Sequence, residues 1–386
     1  MRTFSASSLI VFYTTIFAFA AIYTPQPLLP MMQAEFGVAE STAALLVTAT
    51  LLPLGFAPIV YGFMLQAVSA KKLVSVSVAI IMASELGIFF SDSFLFILFM
   101  RFVQGLCVPA VLTSLMTYLS ASSTPRDIQR IMSFYVASTI VGGYFGRLLS
   151  GLVATGFGWR YSFFAIFLAM LLNLVLLRWL KSDTAVAFQR LRLGVITDIF
   201  RASGFLRLYL VIFLSFFTFA SILNVLPFRL TEISGDLSEF RISTIYTGYL
   251  MGCLVAVFST RISFILGGET RTIVAALSLY LVATLIFLNA GTALVFANMF
   301  LFCAGMFLVH AVAPGLVNQH AGNRRGVVNG LYISCYYSGG TLGSYFPGII
   351  YNNFGWRPYI VFLALMVVLT IIVAAGLGRS RFHLPD

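Results

Sequence analysis

The chain has 386 residues, 60% of them hydrophobic and only 9% charged, with a mean hydropathy of +1.00 and a formal net charge of +11. A soluble domain carries about a quarter charged residues, so this composition excludes a chain surrounded by water and fits one surrounded by lipid. The basic residues sit singly or in pairs in short loops, which excludes a nucleic-acid footprint and suits a membrane topology signal instead.

Arg2 precedes a first apolar run that ends in YTPQPLLP, which contains no small-residue cleavage site. It is expected to remain as an uncleaved first span. Apolar segments follow along the chain near 8–30, 41–66, 73–90, 94–120, 131–155 and 161–180. Six more lie near 207–229, 244–266, 272–289, 292–317, 327–351 and 358–378. Backbone in hydrocarbon must satisfy its own hydrogen bonds, and no ten-residue alternating strands are present, so the fold class is all-α and polytopic with twelve transmembrane helices. Cys107, Cys253, Cys303 and Cys335 all fall inside these runs without ligand spacing, and are expected as small core residues, with no metal or cofactor.

With the amino terminus inside, seventeen Lys and Arg residues lie on the inner side, among them Lys71, Lys72, Arg178, Arg324 and Arg325. Only Arg160, Arg229, Arg241 and Arg357 lie outside, which predicts two cytoplasmic termini. Residues 181–206 form the longest polar stretch and are expected as a cytoplasmic, surface-lying amphipathic linker. The predicted domains are therefore a bundle over 1–180, the linker 181–206 and a second bundle over 207–386.

An internal repeat divides the chain in the same way. A fixed shift of 197 residues pairs Tyr135 with Tyr332, Gly142 with Gly339, Gly143 with Gly340, Gly146 with Gly343 and Gly151 with Gly348. It also superposes the tetrapeptide FGWR at 157–160 on FGWR at 354–357. Six spans separate the copies, so both run in the same direction and the repeat is parallel.

The opening YTPQPLLPMMQAEFGV, the segment RFVQG in the fourth span, and GGYFGRLLSG with FGWR in and after the fifth resemble the major facilitator superfamily of secondary transporters. The resemblance covers nearly the whole chain and is greatest to the bacterial drug–proton antiporter-like branch that includes the YnfM-type proteins. It implies two six-helix bundles around a central cavity that opens alternately to each side. Spans 1, 4, 7 and 10 would line the cavity, 2, 5, 8 and 11 would carry the interface between bundles, and the others would lie outside. The antiporter motif GxxxGPxxGG appears here as Ser138, Gly142, Gly143, Gly146 and Arg147: small residues persist at 138, 142 and 146, while its proline is Gly143 and its last glycine Arg147. The loop motif GxxxDRxGRR between spans 2 and 3 keeps Gly62 and the basic end Lys71 and Lys72, while Gln66, Ala67, Ser69 and Ala70 depart from it.

Transport needs a polar site near mid-membrane, a moving seam and a coupling group. Gly142, Gly146, Gly339 and Gly343 recur at i, i+4 spacing and are expected at the interface between the two halves, either as a sliding seam or as static packing. Helix rise places Arg147 about 6 Å, Arg101 about 9 Å and Glu85 about 4–5 Å outside the midplane, at one level of the membrane. Arg147 is expected to face an aqueous interior near Arg101 and, by its forked donors, to meet an anionic solute. Arg101 has an equally strong structural reading, since it matches the family's fourth-span arginine. Glu85 is a proton-carrier candidate or an arginine's structural partner. His310 is a second proton-relay candidate or a core histidine. Gln104, Gln26, Asn224, Tyr332 and Tyr336 complete the solute-binding candidates.

The sequence has no GxxxxGK[ST], HExxH or GxSxG, so neither a nucleotide-driven motor nor an intramembrane enzyme is expected. The expected function is secondary active transport of a small organic solute across a bacterial inner membrane, as proton-coupled export by an antiporter of the efflux type. The expected partners are the solute, protons and the bilayer, with no nucleic acid, and the chain is expected to act as a monomer. Two alternatives stand beside it: uptake or release of an anionic carboxylate such as a siderophore, and a non-transporting binding or sensor protein, which the altered loop motif favours.

Overall fold

A computed structural model describes residues 5–64, 68–122, 128–180, 193–235, 237–321, 324–380 and 382. Residues 181–192 of the linker, Gln66 and Ala67 of the loop motif, and Arg2 lie outside the described residues. The described residues form sixteen α-helices and short 3-10 turns, with no strands. Ten helical segments are long and apolar enough to cross a membrane. The two remaining predicted spans are also helical. One is broken after Leu54, and the other, Arg325–Phe354, is made less apolar by its tyrosines, asparagines and glycines. The twelve-span, all-α architecture follows.

In the first half, span 1 is α1 (Ala6–Tyr23) and α2 (Leu29–Phe36), joined through a 3-10 turn at Gln26–Leu28. The break is written in the sequence: Pro25 and Pro27 have no N–H for the carbonyls one turn back. Span 2 is α3 (Glu40–Leu54) and α4 (Ala57–Met64), parted just after Pro53. Spans 3 to 6 are α5 (Ala70–Phe90), α6 (Phe94–Ser122), α7 (Ile128–Phe157) and α8 (Trp159–Leu177). The linker contributes α9 (Leu193–Arg201), which buries Ile199 and exposes Thr197 and Phe200, as an amphipathic surface helix does.

In the second half, span 7 is α10 (Ser203–Ser234), and span 8 is α11 (Glu239–Thr244) with α12 (Gly248–Leu266). Spans 9 to 12 are α13 (Glu269–Ile286), α14 (Thr292–His320), α15 (Arg325–Phe354) and α16 (Trp356–Ala375). Both copies of FGWR make the same corner. Gly158 at φ 91° and Gly355 at φ 78° reverse the chain within one residue, a conformation that disfavours any side chain.

The chain divides into two compact units. One comprises Met1–Val38, Leu45–Gln189 and Leu237–Thr244; the other comprises Ala39–Ala44, Arg190–Asp236 and Ile245–Asp386. Each places large apolar side chains outward, such as Phe90, Leu95 and Phe157 in the first and Val257, Phe264 and Ile372 in the second. Such surfaces suit hydrocarbon. The four cysteines are free, with Cys107 and Cys303 buried and Cys253 and Cys335 half-buried.

The repeat extends into the packing. Within the first unit a Cβ on Gly142 or Gly146 would run into the backbone of Ile16 or Ala20 on α1. Within the second, Gly339 and Gly343 stand in the same way against Phe213 and Phe217 on α10. Ile16 and Ala20 lie 197 residues before Phe213 and Phe217, so the repeat shift maps one contact onto the other. Within each unit these glycines therefore pack as static close contacts. Their bare faces are filled by the first helix of their own unit, where backbone meets backbone.

Candidate functional site

Polar side chains in the first unit gather at the end of α1. Because Pro25 cannot donate and the chain turns into a 3-10 segment, the carbonyls of Ala21 and Ile22 need other donors. Arg101, from α6, supplies them: its Nη1 donates to Ala21 O at 2.7 Å and its Nη2 donates to Ile22 O. Its Nε donates to Leu46 O at 2.9 Å on α3, and Nη1 also donates to Gln104 Oε1 at 2.5 Å. The guanidinium has no solvent exposure and sits at the negative end of the α1 dipole. Four acceptors in fork geometry make Arg101 a clamp across three helices.

Arg147, from α7, takes the other side of the same break. Its Nε donates to Gln26 Oε1 at 2.6 Å, and its Nη1 donates to Gly143 O at 2.7 Å, one turn back on its own helix. The guanidinium carbon lies 3.9 Å from the centre of the Tyr23 ring, a cation–π contact. Gln26 and Arg147 are thus brought together, as part of one polar group. The expectation that Arg147 faces water is not met in this conformation. It has no exposed surface, because Tyr23 lies against it and Gln26 caps it.

Glu85, on α5, is fully buried beside Arg101, which acts on it electrostatically. Gln104 Nε2 approaches the carboxylate, yet neither Glu85 oxygen meets hydrogen-bond geometry with any group among the described residues. Glu85 and Arg101 lie near enough to influence each other electrostatically, without forming an ion pair among the described residues.

The second unit carries a different arrangement. The repeat shift places Val282, Asn298, Leu301, Ser344 and Leu223 where the first unit has Glu85, Arg101, Gln104, Arg147 and Gln26, so the charged cluster has no copy. His310 on α14 instead meets Tyr332 Oη at 3.2 Å through Nδ1, and its ring stacks on Tyr336 at 4.6 Å. Tyr336 in turn stacks flat on Phe216 at 3.8 Å. His310 and Tyr336 are half-buried and Tyr332 is buried. Asn224 is buried and donates to Ser344 O at 3.2 Å, a helix-to-helix tie between α10 and α15. Tyr23, which stacks on Arg147, and Phe216, which anchors Tyr336, were not among the residues singled out from sequence. The only signal for Tyr23 was its place three residues before Gln26.

The sequence matches the Major Facilitator Superfamily over residues 11–344 and again over 208–384. It is 28% identical over 392 residues to the inner membrane transport protein YnfM of Escherichia coli (strain K12), covering 98% of this chain and 92% of that one. It is 23% identical over 373 residues to YybF of Bacillus subtilis (strain 168), an uncharacterised MFS-type transporter, covering 95% and 92%. Among solved structures, the nucleoside transporter NupG superposes with a TM-score of 0.81 at 12% identity, covering 96% of this chain and 99% of that one. An inward-facing, occupied bacterial homologue of the human lysosomal transporter Spinster gives 0.80 at 13% identity, covering 97% and 96%. These structures share the fold. The chain belongs to the Major Facilitator Superfamily: it is a multi-pass secondary transporter of small solutes, not an enzyme.

Proposed function

We propose that this transporter works in a bacterial inner membrane, with both termini cytoplasmic, and couples proton movement to the export of a small organic solute that carries negative charge. The observation that carries the coupling is Glu85: a fully buried carboxyl, beside Arg101, with neither oxygen hydrogen-bonded among the described residues. An ionised carboxylate so placed is costly, on the order of 3 kcal/mol by insertion scales. Gain of a proton removes that charge, and loss of it lets the group pair with Arg101. Arg101 is held by carbonyls and does not need Glu85 for its bonds, so Glu85 is free to change state without unfastening the clamp.

Arg147 supports the negative charge of the solute. Its Nε and Nη1 donate to neutral acceptors, Gln26 and a backbone carbonyl. A solute carboxylate offers the same donors a stronger, charge-assisted bond. Since Arg147 is closed to water in this conformation, solute reaches it when the end of α1 moves and Gln26 lets go. The proline break next to Gln26 is where that motion belongs. The small-residue spacing Ser138, Gly142 and Gly146 follows the antiporter motif and supports export over uptake. The Escherichia coli relative, named as an inner membrane transport protein, supports the location.

The test is flux in proteoliposomes with an internal pH dye, across a panel of organic carboxylates and cationic drugs. Carboxylates should drive proton movement and should raise the unfolding temperature of the purified protein. Glu85→Gln should lower proton movement about tenfold or more while exchange of labelled solute across the membrane continues. Arg147→Gln should remove both the flux and the stabilisation by carboxylates. Wild-type proton movement in Glu85→Gln would end its role as carrier, and a response to cationic drugs alone would end the anion reading. Saturable binding without flux would favour the sensor alternative.

A further inference from the structure

The two FGWR corners are internal controls for each other, and their electrostatics are opposite. In the first unit, Arg160 Nη1 meets Glu35 at 2.5 Å and its Nη2 meets Asp92 at 2.6 Å. Glu35 also accepts from Trp159 Nε1. One cation and two carboxylates leave this corner at minus one.

The repeat shift carries Glu35, Asp92, Trp159 and Arg160 onto Glu232, Asn289, Trp356 and Arg357. Three differences then rework the corner. Asp92 becomes the neutral Asn289, to which Arg357 Nη2 donates at 3.2 Å. Met32 becomes Arg229, which pairs with Glu232 at 2.9 Å, and Ala154 becomes Tyr351, whose hydroxyl also donates to Glu232. The glutamate is thereby drawn away, and Trp356 Nε1 turns to Phe287 O at 2.7 Å. Among the described residues Arg357 forms no ion pair, and Arg229 Nε is buried with no hydrogen-bond partner. Two cations and one carboxylate leave this corner at plus one.

A cavity of about 650 Å³ opens there, lined by Arg229, Asn289, Gly291, Phe354, Trp356 and Arg357. The ends of α10 and α15 and the beginnings of α14 and α16 frame it, so it lies at a membrane surface and not in the middle of the bundle. The N–H groups of the first turns of α14 and α16 add positive potential. We propose that this corner of the second unit is a phosphate-class anion site, with Arg357 and Arg229 as its donors and the Trp356 ring as its floor. Guanidinium forks match phosphate oxygens, and an amphipathic tryptophan ring suits the headgroup level.

The ligand's source is either the headgroup of an anionic phospholipid or a free phosphate, and two probes separate them. The purified full chain in neutral detergent is titrated with phosphatidylglycerol, with retained lipid counted by native mass spectrometry, and separately challenged with inorganic phosphate. Asn289→Asp restores the first unit's carboxylate at an exposed position, and should lower retention of phosphatidylglycerol roughly tenfold without unfolding the protein. Arg357→Gln should do the same, while Asp92→Asn in the first unit should change nothing. If inorganic phosphate competes with the lipid, with the same dependence on Asn289, the site takes the free anion as well. If it does not compete, the site is a lipid site. Equal retention in wild type, Asn289→Asp and Arg357→Gln with both probes would overturn the proposal, as would an equal loss in Asp92→Asn.

Discussion

Replacing Arg101 with leucine is expected to lower the unfolding temperature of the detergent-solubilised protein more than any other substitution in the polar cluster around α1. The guanidinium donates to three backbone carbonyls, those of Ala21, Ile22 and Leu46, and to Gln104. These acceptors belong to fully buried residues, and each buried group left unpaired costs about 1–3 kcal/mol. A total loss of about 3–5 kcal/mol is the range for breaking a buried charge arrangement by removing one partner. Lysine should rescue only part of it, because one ammonium on a flexible stem cannot span carbonyls on two helices as a planar fork does. The adjacent Glu85 adds to the loss, since Arg101 is the cation beside it. The double variant Arg101→Leu with Glu85→Gln should therefore be more stable than the sum of its parts predicts. Scanning fluorimetry on the three proteins decides this. A wild-type midpoint for Arg101→Leu would show that α1 ends stably without the clamp.

How far the sequence leads differs between elements for physical reasons. Span positions and the all-α class follow from apolar length alone, because lipid leaves the backbone no other choice. The break in span 1 is equally plain, since Pro25 and Pro27 delete donors at known places. The parting of span 2 after Leu54 has a similar signal in Pro53, Gly55 and Pro58, whereas that of span 8 at Ile245–Thr247 has no proline to mark it. Helix rise gives depth, and so a common level for Glu85 and Arg101, but it gives no rotation about the helix axis. Rotation decides that Arg147 turns onto Tyr23 and Gln26, with the bonded pair 121 positions apart in sequence, instead of into open water. It also decides that the glycine rows face the first helix of their own unit. Spacing shows that a row of small residues exists on one face; the partner of that face is a tertiary fact. The FGWR repeat shows the converse limit: identical tetrapeptides make the same turn, while their neighbours, Asp92 against Asn289 and Met32 against Arg229, give the two corners different charge.

The second large effect is expected at Gly146. A Cβ there would stand 2.5 Å from Ala20 Cα and 2.7 Å from Ala20 O, and both atoms belong to backbone, so no side chain can swing aside to make room. Gly146→Ala must push α1 and α7 apart by roughly 1 Å, and overpacking of this kind costs about 1–3 kcal/mol. The displacement has a functional consequence because the same two helices hold the Arg147 group: α7 carries the arginine, and α1 carries Tyr23 and leads into Gln26. Separation lengthens the Nε to Gln26 bond and lifts the guanidinium from the ring, so transport should fall together with stability. The neighbouring Gly143 is the control. A Cβ on it would lie 3.4 Å from Arg147 Nη1 and 3.5 Å from the Tyr23 ring, which is ordinary contact. Gly143→Ala should therefore stay near wild type in both midpoint and flux. The repeat makes a further demand: Gly343→Ala, whose Cβ would run into Phe217 O on α10, should destabilise to a similar degree. It should do so without touching the arginine cluster, since the second unit has Ser344 where the first has Arg147. Comparable loss of solute recognition from both glycines would mean that helix separation by itself stops transport and that Arg147 has no special part in it.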